Sequence, residues 1–240
     1  LAIAMTLLAI LGFDSMAIMV RLLLEQGYTA PALSAYRNTL GIVPSVIIIL
    51  CMGAFKFNRQ SIIIRRWRLA LFRGVTVAVA QLAFYTALAN LELATISALA
   101  QTNALFVVIM AVVMFKDRVG PWRIAALLIG FIGVLWVLRP GTDAFTPIAL
   151  LPMVAAFCYG FSMVTVRYFP DEVPNALLYL YSSLASALGA FALATFTTGF
   201  SPIAQTTDLV LIVTMSTAGG IAVLLLMFAY RIAASAVLAP

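Results

Sequence analysis

The sequence predicts an all-α integral membrane protein, a polytopic helical bundle of inverted five-helix repeats with about eight spans and the start of a ninth. Apolar residues make up 65% of the 240 residues and charged residues 9%, and the mean hydropathy is +1.14. Too little polar surface is left to coat a soluble globule of this size. The apolar runs also mostly lack the polar face of soluble core helices, and basic residues fall in alternate connections.

Eight apolar runs have lengths suited to crossing a bilayer, since about 20 helical residues cross a hydrocarbon core of about 30 Å. The fifth run is short, and we expect Trp122 and Trp136 to mark its two interfaces. Pro147 and Pro152 crowd the start of the sixth, where a first turn tolerates proline but Pro152 is also a candidate kink. The predicted spans are residues 2–24, 31–55, 69–91, 93–115, 122–138, 146–167, 175–198 and 208–230, with a ninth beginning near Ala233.

The distribution of basic residues predicts the orientation of the chain. Eleven of the fourteen Lys and Arg lie in the even-numbered connections: Lys56, Arg59, Arg65, Arg66, Arg68, Arg73, Lys116, Arg118, Arg123, Arg167 and Arg231. Arg21 and Arg139 lie in odd-numbered connections, and Arg37 lies inside the second span. The positive-inside rule therefore places the even connections and the amino terminus in the cytoplasm. Topology also accounts for the net charge of +6 without a nucleic-acid partner.

A weak internal similarity indicates a repeat. The segment Ala94–Gln101 matches Ala233–Pro240 at its first, sixth and seventh positions. If these segments open the fourth and ninth spans, the repeat unit has five spans, and an odd number inverts the second copy, as in many secondary transporters. Residues 1–141 are then the first repeat, and residues 142–240 are the inverted second repeat, truncated after its third helix. The chain begins at Leu1 within an apolar run, so we expect a piece of a longer protein of about ten spans.

Several motifs resemble the EamA-type, ten-helix branch of the drug/metabolite transporter superfamily. One set lies on the fourth and fifth spans. Ala94, Ala98 and Ala100 are at the start of the fourth span and Phe115–Arg118 at its end, and Arg123 and Gly130–Val134 are in the fifth. A second set is Tyr36-Arg37-Asn38 in the second span and Tyr230-Arg231 before the ninth. Two departures are Asp117, where the family more often has Glu, and Leu11-Gly12, where it usually has an aromatic-Gly pair.

The resemblance implies a multi-pass protein of the bacterial inner membrane that moves a small metabolite by alternating access. The positions of Asp14, Arg21 and Arg37 resemble the branch of S-adenosylmethionine uptake carriers and related metallophore or metabolite exporters. The implied solute is amino-acid-like, S-adenosylmethionine-like or drug-like. The partners are that solute and the lipid bilayer, proton coupling is one option, and the protein is expected to act as a monomer or homodimer.

Charge within a membrane span is costly and therefore a candidate for function, and Asp14 and Arg37 come first among the ionisable residues of this sequence. Asp14 and Arg37 both lie roughly 10 Å inside the outer interface at about 1.5 Å per residue. One hypothesis is that they pair across the first two helices or gate an outward cavity. The alternatives are a permanent ion pair that locks the helices together, and an Arg37 that extends its head group to the interface.

Polar stripes at helical spacing are candidates for the lining of a cavity. They occur on spans three, four, six and seven: Gln81 and Tyr85, Ser97 and Gln101, Tyr159 and Ser162, Tyr179 and Ser182. Each residue is alternatively an interhelical hydrogen-bonding group, worth about 0.6 kcal/mol on average. The amides and aromatic rings favour a neutral or zwitterionic solute with planar parts. Gly130 with Ala126, and Gly219 with Gly220, are expected to be close helix contacts.

A membrane-embedded enzyme or lipid-modifying protein is the alternative function. Such a protein needs clustered catalytic groups, whereas this chain has no His and its eight acids are scattered. Cys51 and Cys158 lie in apolar runs and are expected to be small buried hydrophobes. We therefore expect no catalytic residue, no metal and no cofactor. The chain has no GxxxxGK[ST] phosphate loop either, which favours secondary transport over an ATP-driven pump.

Overall fold

A computed structural model describes residues 2–51, 64, 66–116, 120–138, 146–170, 173–197, 199–203 and 205–232. Within these residues all regular secondary structure is helical, which confirms the all-α class. The α-helices are α1 (Ala2–Glu25), α2 (Ala30–Leu40), α3 (Ile42–Cys51), α4 (Trp67–Asn90), α5 (Leu93–Ala100), α6 (Thr102–Phe115), α7 (Pro121–Leu138), α8 (Leu151–Val164), α9 (Asn175–Phe196) and α10 (Thr206–Ile232). Short 3₁₀ turns at Pro147–Leu150 and Thr165–Tyr168 flank α8.

In the described part of the chain, seven helical segments are long and apolar enough to cross a membrane, and α7 is a shorter eighth. The protein is therefore a multi-pass membrane protein, as the hydropathy predicts. The start of a ninth span at Ala233, the boundary between residues 141 and 142, and the charged pair Asp117-Arg118 lie outside the described residues.

Span two is broken, where the sequence predicts one continuous helix over residues 31–55. Helices α2 and α3 meet at Gly41. Pro44 has no N–H to donate to the Leu40 carbonyl four residues earlier, and its ring crowds that carbonyl, so the helix is interrupted here. The Gly41 N–H still donates to the Arg37 carbonyl at 2.8 Å, which completes the last turn of α2.

Two further spans depart from a regular helix. Span four divides into α5 and α6 at Gln101, where the Thr102 hydroxyl donates to the Leu99 carbonyl at 2.7 Å. Such a local side-chain bond competes with the helical backbone pattern. In span six, Pro152 lies in the first turn of α8. The N–H groups of a first turn have no acceptor within the helix, so a proline there costs no helical hydrogen bond. This placement explains why α8 continues past Pro152.

The spans pack in a pattern that does not follow chain order. Helix α1 packs most extensively against α10, and α4 packs between α8 and α9. Helices α2 and α3 contact both α9 and α10, and α6 lies against α8. Helix α7 lies at the edge of the bundle, where Trp122 and Trp136 are 88% and 79% exposed. Both rings are therefore exposed in the described structure, and their place at the two membrane interfaces stays a prediction.

Glycines allow close approach at two crossings but not at a third. A Cβ on Gly220 would lie 3.0 Å from the Gly41 carbonyl oxygen, and one on Gly219 would lie 2.6 Å from Met16 Sδ. The expected close contact at Gly219-Gly220 is therefore present. Among the described residues, no other helix makes the close contact expected at Gly130 and Ala126, because Ala126 is exposed and a Cβ on Gly130 would meet none of their atoms within 4 Å. This face of α7 points away from the bundle.

Candidate functional site

A buried guanidinium lies near the middle of the described bundle. Arg37 on α2 is 3% exposed, and its Nη1 donates to Asn38 Oδ1 at 3.0 Å. Its Nε has no hydrogen-bond partner among the described residues. A Cβ on Gly219 would lie 3.3 Å from both Nε and Nη2, so the missing side chain on α10 makes room for the guanidinium.

An amide network next to Arg37 joins span two to span three. Asn38 Nδ2 donates to Gln81 Oε1 at 2.6 Å, and Gln81 Nε2 donates back to Asn38 Oδ1 at 3.1 Å. The Ser34 hydroxyl also donates to Gln81 Oε1, at 2.8 Å. All three side chains are buried, so the reciprocal bonds hold both amides in one orientation.

Three tyrosines approach the same guanidinium from other spans. Tyr85 on α4, Tyr159 on α8 and Tyr179 on α9 lie close enough to interact electrostatically with Arg37. The hydroxyls of Tyr85 and Tyr179 are buried and have no hydrogen-bond partner among the described residues. We call the set of Arg37, Asn38, Gln81, Tyr85, Tyr159 and Tyr179 the central cluster. Together with Gly219, it involves spans two, three, six, seven and eight.

Asp14 does not belong to the central cluster. It is exposed, and within the described chain the ion pair joins Arg21 to Glu25 at 3.2 Å rather than Asp14 to Arg37. Met16, two residues further along α1, is the residue that faces Gly219 near Arg37. Two helical residues are about 200° apart, so Asp14 points away. Both versions of the Asp14–Arg37 pair are therefore wrong in this structure, and so is an Arg37 that extends to the interface.

A second buried arginine joins three spans near the end of the bundle where α4 begins. Arg73 is 2% exposed, and its Nε and Nη2 donate to the Ser162 carbonyl at 2.9 and 2.7 Å. Nε also donates to Thr165 Oγ1 at 3.1 Å, and Nη1 donates to Ser182 Oγ at 3.3 Å. We call these four residues the inner clasp. Ser162 and Ser182, expected to line a cavity, lie in this clasp.

Sequence reasoning counted Arg73 among the cations of a connection, but α4 begins at Trp67 and carries Arg73 in its second turn. The apolar run that continues directly from Gly74 was the available signal. An arginine followed by such a run without a break is already inside the membrane segment.

A matching set of hydrogen bonds closes the opposite end of the bundle. The Tyr28 hydroxyl donates to Asp208 Oδ2 at 2.9 Å, and the Tyr36 hydroxyl donates to the Ser201 carbonyl at 2.8 Å. We call these four residues the outer clasp. Tyr28, Ser201 and Asp208 line a cleft of about 340 Å³, together with residues that include Gln26 and Gln205. Asp208 is 4% exposed, and no stripe or charge pattern in the sequence singled it out.

Comparison with known proteins agrees with this architecture. Residues 1–139, more than half of the chain, match the EamA-like transporter family. The chain belongs to that family. It is similar to a riboflavin transporter of Rhizobium johnstonii, with 33% identity over 177 aligned residues. The aligned residues cover 72% of this chain and 57% of that protein. It is also 29% identical over 107 residues to a riboflavin transporter of Brucella anthropi, covering 42% of this chain and 38% of that protein.

A third relative is aligned over nearly the whole chain. An uncharacterized transporter of Helicobacter pylori is 21% identical over 244 residues, which cover 99% of this chain and 80% of that protein. The chain therefore spans only part of the length of each of these relatives, and 57% or less of the two named riboflavin transporters.

In this EamA-like chain, two more of the expected cavity residues lie apart from the central cluster, besides Asp14, Ser162 and Ser182. Ser97 on α5 and Gln101 at the joint between α5 and α6 are both exposed. The neighbouring Asn103 instead has a buried Oδ1 without a partner in the described chain, 2.9 Å from where a Cβ on Gly160 would lie. The polar side chain of span four that approaches span six is therefore Asn103.

Proposed function

We propose that this protein is a secondary transporter that moves a small organic metabolite across the bacterial inner membrane by alternating access. The observation that carries the proposal is a buried polar cluster with unpartnered groups, assembled from several spans and lying between two clasps. Such groups are costly inside a membrane bundle unless a ligand or water meets them. Membership of a transporter family supports this function over the membrane-embedded enzyme.

We further propose that residues 1–141 and 142–240 are two inverted repeats. If spans one, two and three correspond to spans six, seven and eight, the packing of span one on span eight corresponds to that of span six on span three. The contact of α1 with α10 is the most extensive between two helices in the described chain, and the contact of α8 with α4 is also extensive. This agreement supports the repeat independently of the weak sequence similarity.

The same correspondence relates the two clasps. The outer clasp joins the start of span eight to the connection after span one, and the inner clasp joins the start of span three to the end of span six. Inverted repeats place equivalent contacts at opposite faces of the membrane. We propose that the clasps open in turn, so that the central cluster faces one side at a time.

The orientation is proposed with the inner clasp and the amino terminus in the cytoplasm. Arg66 and Arg68 lie at the start of α4 beside the inner clasp, in agreement with the positive-inside rule. A cysteine in place of Arg66 should react with an impermeant thiol reagent only from the cytoplasm, and one in place of Glu25 only from outside. The reverse pattern would contradict the proposed orientation.

Two assays test transport. Metabolites inside and outside cells with and without the full-length gene should differ in at least one solute, and riboflavin is the first candidate because two relatives are named for it. The purified full-length protein in liposomes should then move that solute when a solute or proton gradient is imposed. If no solute differs in cells and none moves in liposomes, the proposal is wrong.

A pair of variants tests the inner clasp. Arg73→Ala removes four hydrogen bonds, whereas Arg68→Ala removes an exposed cation from the same helix. With Cys51 and Cys158 replaced by Ala, a cysteine at Ser183 should react faster with a cytoplasmic impermeant reagent in Arg73→Ala only. Equal rates in the two variants would mean that Arg73 does not hold this end closed.

A further inference from the structure

The two buried arginines differ in how completely their donors are satisfied. All three guanidinium nitrogens of Arg73 donate to oxygens of the protein, so Arg73 needs no hydrogen-bond partner from a ligand. Arg37 donates through Nη1 to Asn38, but its Nε has no partner among the described residues. A buried donor without an acceptor is costly, and more so when it is charged. Arg37 is therefore the arginine that needs a partner from outside the described chain.

The surroundings of Arg37 within the described chain supply no negative charge. Asp14, Glu25 and Glu92 are exposed, and none of them bonds Arg37. Asp208 belongs to the outer clasp, eleven residues before Gly219 and therefore about 16 Å away along α10. The groups that face the guanidinium are neutral: Asn38, Tyr85, Tyr159, Tyr179, Met16 and Gly219.

The buried, unpartnered hydroxyls of the described chain lie on α4 and α9, and a hydroxyl can donate as well as accept a hydrogen bond. The hydroxyls of Tyr85 and Tyr179 are buried without a partner in the described chain, as are those of Ser183 and Ser186. Tyr179, Ser183 and Ser186 share one face of α9, since they are four and three residues apart. Arg37 Nε can only donate, so a ligand group rich in acceptors can meet the guanidinium and the tyrosine hydroxyls together.

We propose that the substrate is a small organic anion whose carboxylate or phosphate oxygens bind Arg37 Nε and the hydroxyls of Tyr85 and Tyr179. This inference rests on the proposed transport function. It departs from the neutral or zwitterionic solute that the amides and rings favoured in the sequence. A guanidinium is always charged and only donates, so an oxyanion matches it in both charge and hydrogen bonding, whereas a neutral amide supplies an acceptor oxygen without the charge.

The test compares anions with neutral molecules of nearly the same shape. Purified full-length protein is titrated at constant ionic strength with riboflavin 5′-phosphate and riboflavin, indole-3-acetate and indole-3-acetamide, and benzoate and benzamide. Thermal shift and calorimetry measure binding. At least one anion should bind, and its neutral counterpart should bind about tenfold more weakly or worse, because charge-assisted hydrogen bonds are the stronger ones.

Variants of Arg37 test whether this residue causes the preference for the anion over its neutral counterpart. Arg37→Gln should weaken binding of the anion by about tenfold or more and abolish the preference for it. Arg37→Lys keeps the charge and should retain part of the preference, which separates recognition from misfolding. Arg68→Gln removes an exposed arginine and should bind as wild type does, which excludes a general effect of net charge.

Three results would overturn the inference: no anion of the panel binds, a neutral counterpart binds as tightly, or Arg37→Gln keeps the preference. Transport is measured separately in liposomes. Arg37-independent transport of a neutral solute would refute the anionic substrate while leaving the transport function intact.

Discussion

The crossing of α4 and α9 at Gly74 gives the sharpest prediction about stability. A Cβ added at Gly74 would lie 2.5 Å from Ala185 Cβ and would also overlap the Ser182 carbonyl oxygen. Carbon atoms prefer separations of about 3.5–4.0 Å, so Gly74→Ala must move the two helices apart by about 1 Å. Both obstructing groups belong to α9 at or near its backbone, so a change of side-chain rotamer cannot relieve the overlap.

The expected loss follows from two opposing contributions. Overpacking a fitted interface costs about 1–3 kcal/mol, and replacing a helical glycine by alanine returns about 1 kcal/mol. The displacement also draws Ser182 away from Arg73 Nη1, now at 3.3 Å, and weakens the inner clasp. We therefore expect a net loss of about 2 kcal/mol, which lowers the melting temperature by about 4–8 °C for a chain of this size.

Thermal unfolding of the full-length protein in one detergent measures the effect. The matched control is Gly189→Ala on the same α4–α9 interface, where a Cβ would lie 3.6 Å from Ala78 Cβ in ordinary contact. Its melting temperature should stay the same or rise. If Gly74→Ala melts at or above the wild-type temperature, or if both variants shift alike, the packing argument is wrong.

Two further pairs of variants test the outer clasp and the central cluster. Tyr28→Phe removes a hydrogen bond to a carboxylate, worth about 1.5–3 kcal/mol, and Tyr36→Phe removes one to a carbonyl, worth about 0.5–1.5 kcal/mol. Hydrogen–deuterium exchange at the start of α10 should therefore rise more for Tyr28→Phe, and a larger rise for Tyr36→Phe would refute this ranking. A Cβ on Gly219 would lie 2.6 Å from Met16 Sδ and 3.3 Å from the Arg37 guanidinium, so Gly219→Ala crowds both at a cost of about 1–3 kcal/mol and should slow uptake into liposomes about tenfold, whereas Gly130→Ala should transport normally. Equal uptake by these two variants would show that the space beside Arg37 has no role.

The spans could be predicted from the sequence because a bilayer requires long apolar helices, and hydropathy reports these directly. The break in span two was also readable in principle, since Pro44 within a helical run removes a hydrogen bond wherever it occurs. The edge position of α7 was not readable. Gly130 has the same local signal as Gly219, and only the neighbouring helices decide which of them is covered.

The candidate site, too, could be predicted only in part from the sequence. Two properties of single helices, the cost of burying a polar group and the spacing of polar residues, are enough to single out Arg37, Gln81, Tyr85, Tyr159 and Tyr179. Their assembly depends on which spans pack together, and that pairing carries no local sequence signal. The expected pairing of Asp14 with Arg37 fails for this reason, because Asp14 lies on the side of α1 that is turned away from Arg37.

The pairing of α1 with α10 has a consequence for biogenesis. About 180 residues separate the end of α1 from the start of α10, so a ribosome working at about 5–20 residues per second delays their contact by roughly 10–40 s. During that interval α1 is surrounded by lipid at no great cost, because the residues it later buries are apolar: Ala9, Met16, Ala17, Val20 and Leu23. The guanidinium of Arg37 must be accommodated sooner, and Gln81, whose amide engages the neighbouring Asn38, is synthesised within a few seconds of it. Helix insertion thus delivers the first polar groups near Arg37 long before the bundle is complete.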